Sequence, residues 1–394
     1  MDEEEMRREA VRRRRQGESP EAIAAALGRT SRWVRKWVAR HDEESHEEGW
    51  AKSRSRAPHT SPGRTPDELR QLILDARARL TANPRAQYGA LAIAWELRHM
   101  GVAPIPERWT IERAISAAGL ARPRRRQPGY VPKGVPYPTR LAPEPGTSHQ
   151  VDMVGPRHLQ GAVEFHALNC IDVGTHTAAS EILEVARPNL VAHALVAMWC
   201  RIGVPRVAQF DNHTNFRGGI PPAYAYFGPV VATCLDLDVT PRFIPLREPW
   251  RNGVVEHFND VWDKSFFRTE RFTDLAHLRA ENAVFADFHN AHHRYAVHKG
   301  AAPNELWSQG HVGALSTAYR VPTSLPARGR IEVVRYVRSN RVVDLFGRRI
   351  TVAEEHAHQY VTACIKVRSR TVIVTTIEGE VIYDGAYPVQ RTLR

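Results

Sequence analysis

The hydrophobic period of this chain changes near residue 149, and that change limits its possible folds more than any other feature. Up to residue 120 apolar side chains recur at helical spacing; beyond 149 they fall in runs of strand length. His149–Val154, Val163–Val173 and His176–Glu184 read as three strands, Asn189–Ile202 as a helix, Arg206–Phe210 as a fourth strand and Val239–Pro245 as a fifth. Helices from about Asn252 to Phe267 and from Thr273 to His293 follow. The order β-β-β-α-β-α-β-α predicts an α/β core with a mixed sheet over 149–310. Residues 327–394 then carry strands at Arg330–Val337, Arg341–Phe346, Tyr360–Val367, Thr371–Ile377 and Glu380–Asp384. They predict an all-β C-terminal unit, a small barrel or curled sheet.

The first 120 residues read as two α-helical units. A helix over 6–16 ends at Gly17; Ser19-Pro20-Glu21 caps a second that runs to Leu27; Gly28 turns the chain into a third, from Thr30 or Ser31 to about Arg40. Ile23, Leu27, Val34, Trp37 and Val38 form an apolar seam, with Arg29, Arg32, Arg35, Lys36 and Arg40 on the other side. Residues 1–45 are therefore expected to be a helix-turn-helix DNA-binding domain; a three-helix bundle with a solvated face is the plainer alternative. Residues 46–64 lack periodicity and read as a linker. Thr65-Pro66-Asp67-Glu68 opens a second helix-turn-helix-like domain over 65–120, where Arg108 and Arg113 are candidate DNA contacts and a helical spacer is the competing reading. The Pro-rich, basic stretch 121–148, with Arg124, Arg125 and Arg126, is expected to be an extended linker that can follow a DNA backbone.

Charge is partitioned. The net +12 divides into +2 over 1–60, +7 over 61–150, −3 over 151–310 and +6 over 311–394. Basic flanks around an acidic centre suit a polyanion gripped from the sides, with metal ions neutralising the middle. The four cysteines lack paired metal-ligand spacing and the first 169 residues have none, which argues against a disulfide scaffold or an N-terminal zinc module and fits a reducing compartment. No apolar run approaches membrane-span length, and Met1-Asp2-Glu3-Glu4-Glu5 does not open a signal peptide; a cytoplasmic, nucleoid-associated location without membrane partners is expected.

Three carboxylates carry the chemistry: Asp152 in His-Gln-Val-Asp-Met-Val, Asp211 in Ala-Gln-Phe-Asp-Asn-His, and Glu256 in Asn-Gly-Val-Val-Glu-His-Phe-Asn. Two stand at strand ends and the third on the first turn of a helix. Converged oxygen ligands of this kind hold hard divalent cations, and a metal pair can clamp the attacking and leaving oxygens of a phosphodiester. In these residues, in Phe210-Asp211-Asn212 followed by Phe216, in the run from Pro249 to Asn259, and in Phe288-His289-Asn290 with Arg294, His298 and Pro303, the chain resembles the DDE-type integrase and transposase superfamily. The likeness is to insertion-sequence transposases of bacterial or phage type with a retroviral-integrase-like core, and it covers most of the chain.

The resemblance implies an RNase H-like core in which Asp152, Asp211 and Glu256 are catalytic and hold two Mg²⁺, with Mn²⁺ as a substitute. Asp152 would bridge the ions, while Asp211 and Glu256 would serve one each. It implies hydrolysis at transposon ends, followed by attack of the freed 3′-hydroxyl on target DNA. The partners expected are double-stranded DNA, further copies of the chain in a multimer on DNA, and an ATPase target selector. Asn212 is expected to shape the loop after Asp211, and Asn212, Arg251 and Asn252 are candidate DNA contacts. The sequence departs from the pattern twice. His213 stands where glycine is usual, in a loop expected to need a positive φ. The Asp211–Glu256 spacing of 45 is long, with the surplus expected at 217–224.

Competing groups receive plainer readings. Asp172 is expected to cap a loop or face substrate, and Glu248 to be exposed. His289, His292, His293 and His298 are expected on a helix surface or against phosphate rather than at a metal. Two rival functions are an inactive, domesticated transposase acting as a sequence-specific DNA-binding regulator, and an RNase H-like nuclease or resolvase without strand transfer.

Overall fold

A computed structural model describes residues 1–44, 49–55, 65–121, 134–138, 141–160, 162–219, 225–307 and 315–393. The chain divides into two compact units, Met1–Thr65 and Pro66–Arg394.

The first unit holds α1 (Glu3–Arg15), α2 (Pro20–Leu27) and α3 (Ser31–Glu44). Its punctuation is as expected: Ser19 Oγ accepts from Ala22 N, Pro20 opens α2, and Gly28 closes it in the left-handed region at φ 62. Ala10, Ile23, Ala24 and Val34 form the core, and the Arg7 guanidinium stacks 4.1 Å from the Trp37 ring.

In the second unit α4 (Asp67–Ala82), α5 (Ala90–His99) and α6 (Arg108–Ala117) pack through Ile73, Ile93, Leu97, Ile111 and Ile115. Eleven described strands follow: β1 (Ser148–His158), β2 (Glu164–Asp172), β3 (Ala178–Leu183), β4 (Val207–Phe210), β5 (Thr240–Phe243), β6 (Arg330–Tyr336), β7 (Val342–Leu345), β8 (Arg348–Thr351), β9 (Tyr360–Lys366), β10 (Thr371–Thr375) and β11 (Val381–Ala386). The described helices among them are α7 (Pro188–Ile202), α8 (Thr214–Arg217), α9 (Pro229–Asp236), α10 (Gly253–Trp262), α11 (Leu275–His292) and α12 (Pro303–Trp307). The mixed sheet expected for the core is present. β1, β2 and β3 are antiparallel neighbours, whereas β1, β4, β5 and β6 run parallel.

Helices cover both faces. Leu195, Met198 and Trp199 of α7 and Val231 and Leu235 of α9 share one apolar cluster with Val151, Leu168, Phe210 and Phe243. On the other side Val255, Phe258 and Trp262 of α10 and Leu278 and Phe285 of α11 cover Phe165, Ile171 and Ile182. Burial on both faces explains why β2 is a near-continuous buried run rather than an alternating one.

The structure corrects two expectations of domain layout. Among the described residues the C-terminal strands do not close into a separate barrel; one nine-stranded sheet runs β11-β10-β9-β6-β5-β4-β1-β2-β3, with β7-β8 a separate hairpin. The open edge of β5 pairs with β6 (Arg242↔Glu332, Phe243↔Val333), an Arg242–Glu332 ion pair of 2.7 Å seals the junction, and Val333, Val361 and Ile365 join the α7/α9 cluster. A strand edge and an apolar face left by the core are satisfied together, so these strands need no core of their own. Likewise helices α4 to α6 belong to the same unit as the sheet. Arg85 binds Glu270 and Glu281, both at 2.5 Å, and Gln87 Oε1 accepts from Arg294 N at 2.6 Å.

Candidate active site

Parallel pairing of β1 and β4 sets Gln150 opposite Gln209. Two residues on, side chains return to the same face, which sets Asp152 level with Asp211; Asp211 follows the last residue of β4, whereas Asp152, expected at a strand end, lies within β1, which runs on to His158. α10 packs on β1 and β2 and places Glu256 on its first turn, where the helix dipole favours a carboxylate. All three carboxylates are half-buried and reachable. Burial pushes the Asp152 carboxyl up to about 6, and the charges of Asp211 and Glu256 add to that. Burial also raises Asp211 and Glu256 above the ordinary carboxylate range. Burial is thus the main cause of all three shifts, and only Asp152 also feels the charges of the other two carboxylates.

A pair of glutamines fastens the third carboxylate to the first two. Asn252 precedes α10 but makes no side-chain cap. Gln150, 4 % exposed, supplies the cap instead: its Oε1 accepts from Val254 N (3.0 Å) and Val255 N (3.1 Å), and its Nε2 donates to Arg251 O (3.2 Å). Gln209, 2 % exposed, donates to the same carbonyl (2.8 Å) and to Asn252 Oδ1 (3.0 Å), while Asn252 Nδ2 donates weakly to Val151 O at 3.4 Å. Neither glutamine was singled out from the sequence. The signal was present, because both aspartates sit in Gln-X-Asp (Gln150-Val151-Asp152 and Gln209-Phe210-Asp211) and a period of two puts each Gln and Asp on one face. Asn259 is a second omission. One turn after Glu256, its Nδ2 donates to Asp152 Oδ2 (2.7 Å) and its Oδ1 accepts from Asn169 (2.7 Å), whose Oδ1 accepts from Ser180.

The loop after Asp211 is unstrained at His213, which sits at φ −62 where a positive value was expected. Its backbone N–H donates to Asp211 Oδ1 (2.9 Å), and its Nδ1 accepts from Asn215 N (3.2 Å), capping α8. A side chain that caps is more use here than glycine. Asn212 shapes this loop as expected, with Nδ2 on Ile244 O (2.6 Å) and Oδ1 accepting from Arg335 (2.9 Å).

Other candidates move. Asn252, 2 % exposed, is an internal strut and is not available to DNA. Arg251 is likewise engaged, stacked 3.8 Å from the Tyr137 ring, bonded to Tyr360 Oη (3.1 Å) and paired with Glu248 (3.2 Å). Glu248, expected at the surface, is buried because Tyr360 and Arg251 satisfy it. Asp172 is the loop cap expected: it is fully buried, accepting from Gly146 N, Thr175 N and Thr175 Oγ1. His289 and His293, read as surface groups, are buried; His289 Nε2 meets Tyr295 Oη at 2.8 Å and His293 meets Gln87 at 2.7 Å. Their pKa values are depressed by burial, to about 4 and about 2.

In the first unit Arg32, Arg35 and Lys36 are exposed on α3; Arg35 pairs with Glu21, Arg29 with Glu3, and Arg40 with Glu44. On α6 Arg108 pairs with Glu112, and Arg113 stacks on Trp109, which is 58 % exposed. Arg124, Arg125 and Arg126 lie outside the described residues, as do 220–224 of the long loop.

The donor chemistry of the trio, three carboxylates and no sulfur or imidazole, fits a hard cation. Among the described residues, no three His, Cys, Asp or Glu side chains are drawn together at the spacing of a metal's ligands. Asp152 leans to Asn259 and Asp211 to the His213 N–H instead.

Among the described residues no helix is long and apolar enough to cross a membrane. No curated protein matches the chain. Among solved structures it is similar to a chain of the simian T-cell lymphotropic virus intasome in complex with PP2A regulatory subunit B56 gamma: 14 % identity, covering 72 % of this chain and 92 % of that one, TM-score 0.37. It is also similar to the catalytic core domain of BIV integrase: 16 % identity, covering 42 % of this chain and 95 % of that one, TM-score 0.32. Both likenesses are remote. Residues 1–50 match the model of a homeodomain-like domain family.

Proposed function

We propose that this chain is a DDE-type DNA transposase, an RNase H-like polynucleotidyl transferase that cleaves 3′ ends of a mobile element and joins them to target DNA. The observation that carries the reading is the alignment of Asp152 and Asp211 on neighbouring parallel strands, with the helix that bears Glu256 tied to both strands by Gln150 and Gln209. Asp152, Asp211 and Glu256 would hold Mg²⁺, two ions with Mn²⁺ as substitute. Such ions supply Lewis acidity toward phosphoryl oxygens and lower the pKa of an attacking water or 3′-hydroxyl. The protein's own contribution is position. Asn259 orients the Asp152 carboxylate, His213 N–H orients Asp211, and the glutamine clamp sets the depth and tilt of Glu256.

The homeodomain-like match and the exposed Arg32, Arg35 and Lys36 support recognition of element ends by the first unit. Joining two ends at once calls for self-association on DNA, in the nucleoid, with an ATPase target selector as a further partner. The test is Mg²⁺-dependent cleavage and strand transfer on labelled duplexes from the flanking genomic DNA. Asp211→Asn should abolish both while leaving end binding intact. Activity retained by that variant overturns the assignment, and end binding without any cleavage by the wild type favours the inactive regulator.

A further inference from the structure

We propose that a basic groove at the carboxyl ends of β5 and β6 binds the phosphodiester backbone of DNA through Arg247, Arg338 and Arg349; this rests on the transposase reading. The groove measures about 400 Å³. One wall is the segment from Pro245 to Glu248 that leads from β5 toward α10, and the other is the end of β6 with the β7–β8 hairpin.

Its charge is lopsided. Arg247, Arg338 and Arg349 are exposed, the last with 80 % of its side chain in solvent. Among the described residues neither Arg247 nor Arg338 makes an ion pair, and Arg349 has only Asp344 at 4.0 Å. The acids in the wall are already engaged. Glu248 accepts from Tyr360 and Arg251, and Asp344 Oδ1 accepts from Gly347 N at 2.9 Å. The floor is Arg335, buried and donating to Ile244 O, Asp344 O and Asn212 Oδ1. A groove with a fixed cationic floor and unpaired guanidiniums on its rim suits a polyanion and disfavours an apolar peptide.

Its place in the sheet connects it to the carboxylates. β1, β4, β5 and β6 are parallel, so their carboxyl ends lie along one edge of the fold, the end where α/β sheets bind ligands. Asp211 follows the end of β4 on that edge, Asp152 lies level with it within the longer β1, and the groove occupies the β5 and β6 positions. At ~4.8 Å per strand, β6 lies about 10 Å from β4, roughly three nucleotide rises of ~3.4 Å. The Arg335–Asn212 hydrogen bond ties the floor to the loop that carries Asp211. A strand held in the groove would thus leave it toward the carboxylates, in a register set by the fused sheet.

The test uses the full chain and a random-sequence duplex as probe, with affinity measured between 50 and 200 mM salt. Each phosphate contact adds about 0.9 to the slope of log affinity against log salt. Removing three in Arg247→Ala/Arg338→Ala/Arg349→Ala should lower the slope by about 2.7, so the wild type loses roughly 40-fold more affinity over that range than the variant. Lys366→Ala/Arg368→Ala, a control outside the groove at the β9–β10 end, should lower it by less than one, and the triple Lys variant should keep the wild-type slope. If the Ala set does not fold, the triple Gln variant, which retains side-chain length, carries the same expectation. An unchanged slope in a folded triple variant overturns the groove and leaves the transposase reading standing. A lowered slope in a protein that never cleaves DNA supports the groove and overturns the transposase reading.

Discussion

Replacing Gln150 by alanine tests whether the two strands position the third carboxylate. Gln150 makes three hydrogen bonds to the turn and first residues of α10. Arg251 O keeps its bond to Gln209 after the substitution, but Val254 N and Val255 N lose their acceptor in a site where Val255 is fully buried. An unsatisfied buried donor costs about 1–3 kcal/mol, and two that are partly rehydrated through the new space should cost about 2–4 kcal/mol together. At ~2–4 °C per kcal/mol for a unit of this size, melting should fall by roughly 5–15 °C. The catalytic loss should be larger than the loss of binding, because a displacement near 1 Å in a reacting constellation costs on the order of 100-fold. Single-turnover cleavage of an end duplex, measured well below the variant's melting temperature, should show the rate constant down by about that factor with end affinity unchanged. Gln209→Ala should act in the same direction, and the double variant should lose more than the sum, because Arg251 O keeps one glutamine donor in either single variant and has neither in the double. A Gln150→Ala protein that melts within a degree of wild type and cleaves at the wild-type rate refutes the clamp.

Further predictions concern other parts of the fold. His213→Gly should not raise activity and should lower stability by only about a few tenths of a kcal/mol through loss of the α8 cap; a gain in cleavage would contradict the φ of −62. His289 is held neutral, with its pKa lowered from 6.5 to about 4, so its contribution is complete above pH 6.5 and is lost as pH falls from there to about 4. Denaturant titrations at pH 7.5 and 5.5 should show His289→Gln, though less stable at neutral pH, losing on the order of 1 kcal/mol less than wild type across that step. The comparison with the variant cancels the carboxyls with raised pKa, Asp152 among them, which act in the opposite sense. Arg85→Ala leaves Glu270 and Glu281 facing each other without their cation, and about 2–4 kcal/mol of unit-two stability should go with it in calorimetry; an unchanged transition would show that α4 to α6 are held by other contacts.

What could be read from the residues follows the range of the forces involved. Ser19, Pro20 and Gly28 act within a turn or two, and their helix boundaries stand close to where the sequence puts them. Asp211 was legible because β4 announces itself as a short apolar run ending in charge; the strand around Asp152 was legible too, but not that it runs on to His158 in its pairing with β2. The fate of Glu248, Arg251 and Asn252 was not legible, because their partners Tyr360, Tyr137 and Gln209 lie far away in sequence. A charged side chain beside a proline looks exposed until a tyrosine from a ninth strand reaches it. The C-terminal barrel failed for a related reason: strand runs fix local conformation but not which edge they pair with, and β5 offered an open one.

The Gln-X-Asp pair shows how a catalytic geometry can be specified without a ligand in place. Three carboxylates repel one another, so nothing in their own interactions holds them together. The strand period places each glutamine on the face of its aspartate, and parallel pairing places the two glutamines together. Their amides reach the start of α10, where the uncapped N–H groups of Val254 and Val255 need an acceptor. The cost of three close negative charges is thus met by hydrogen bonds that belong to the backbone of the same elements. Because the clamp acts through main-chain atoms of residues 251, 254 and 255, it tolerates any side chain there that packs. It does not tolerate a shift of either glutamine by one position, which would turn the amide to the opposite face of the sheet.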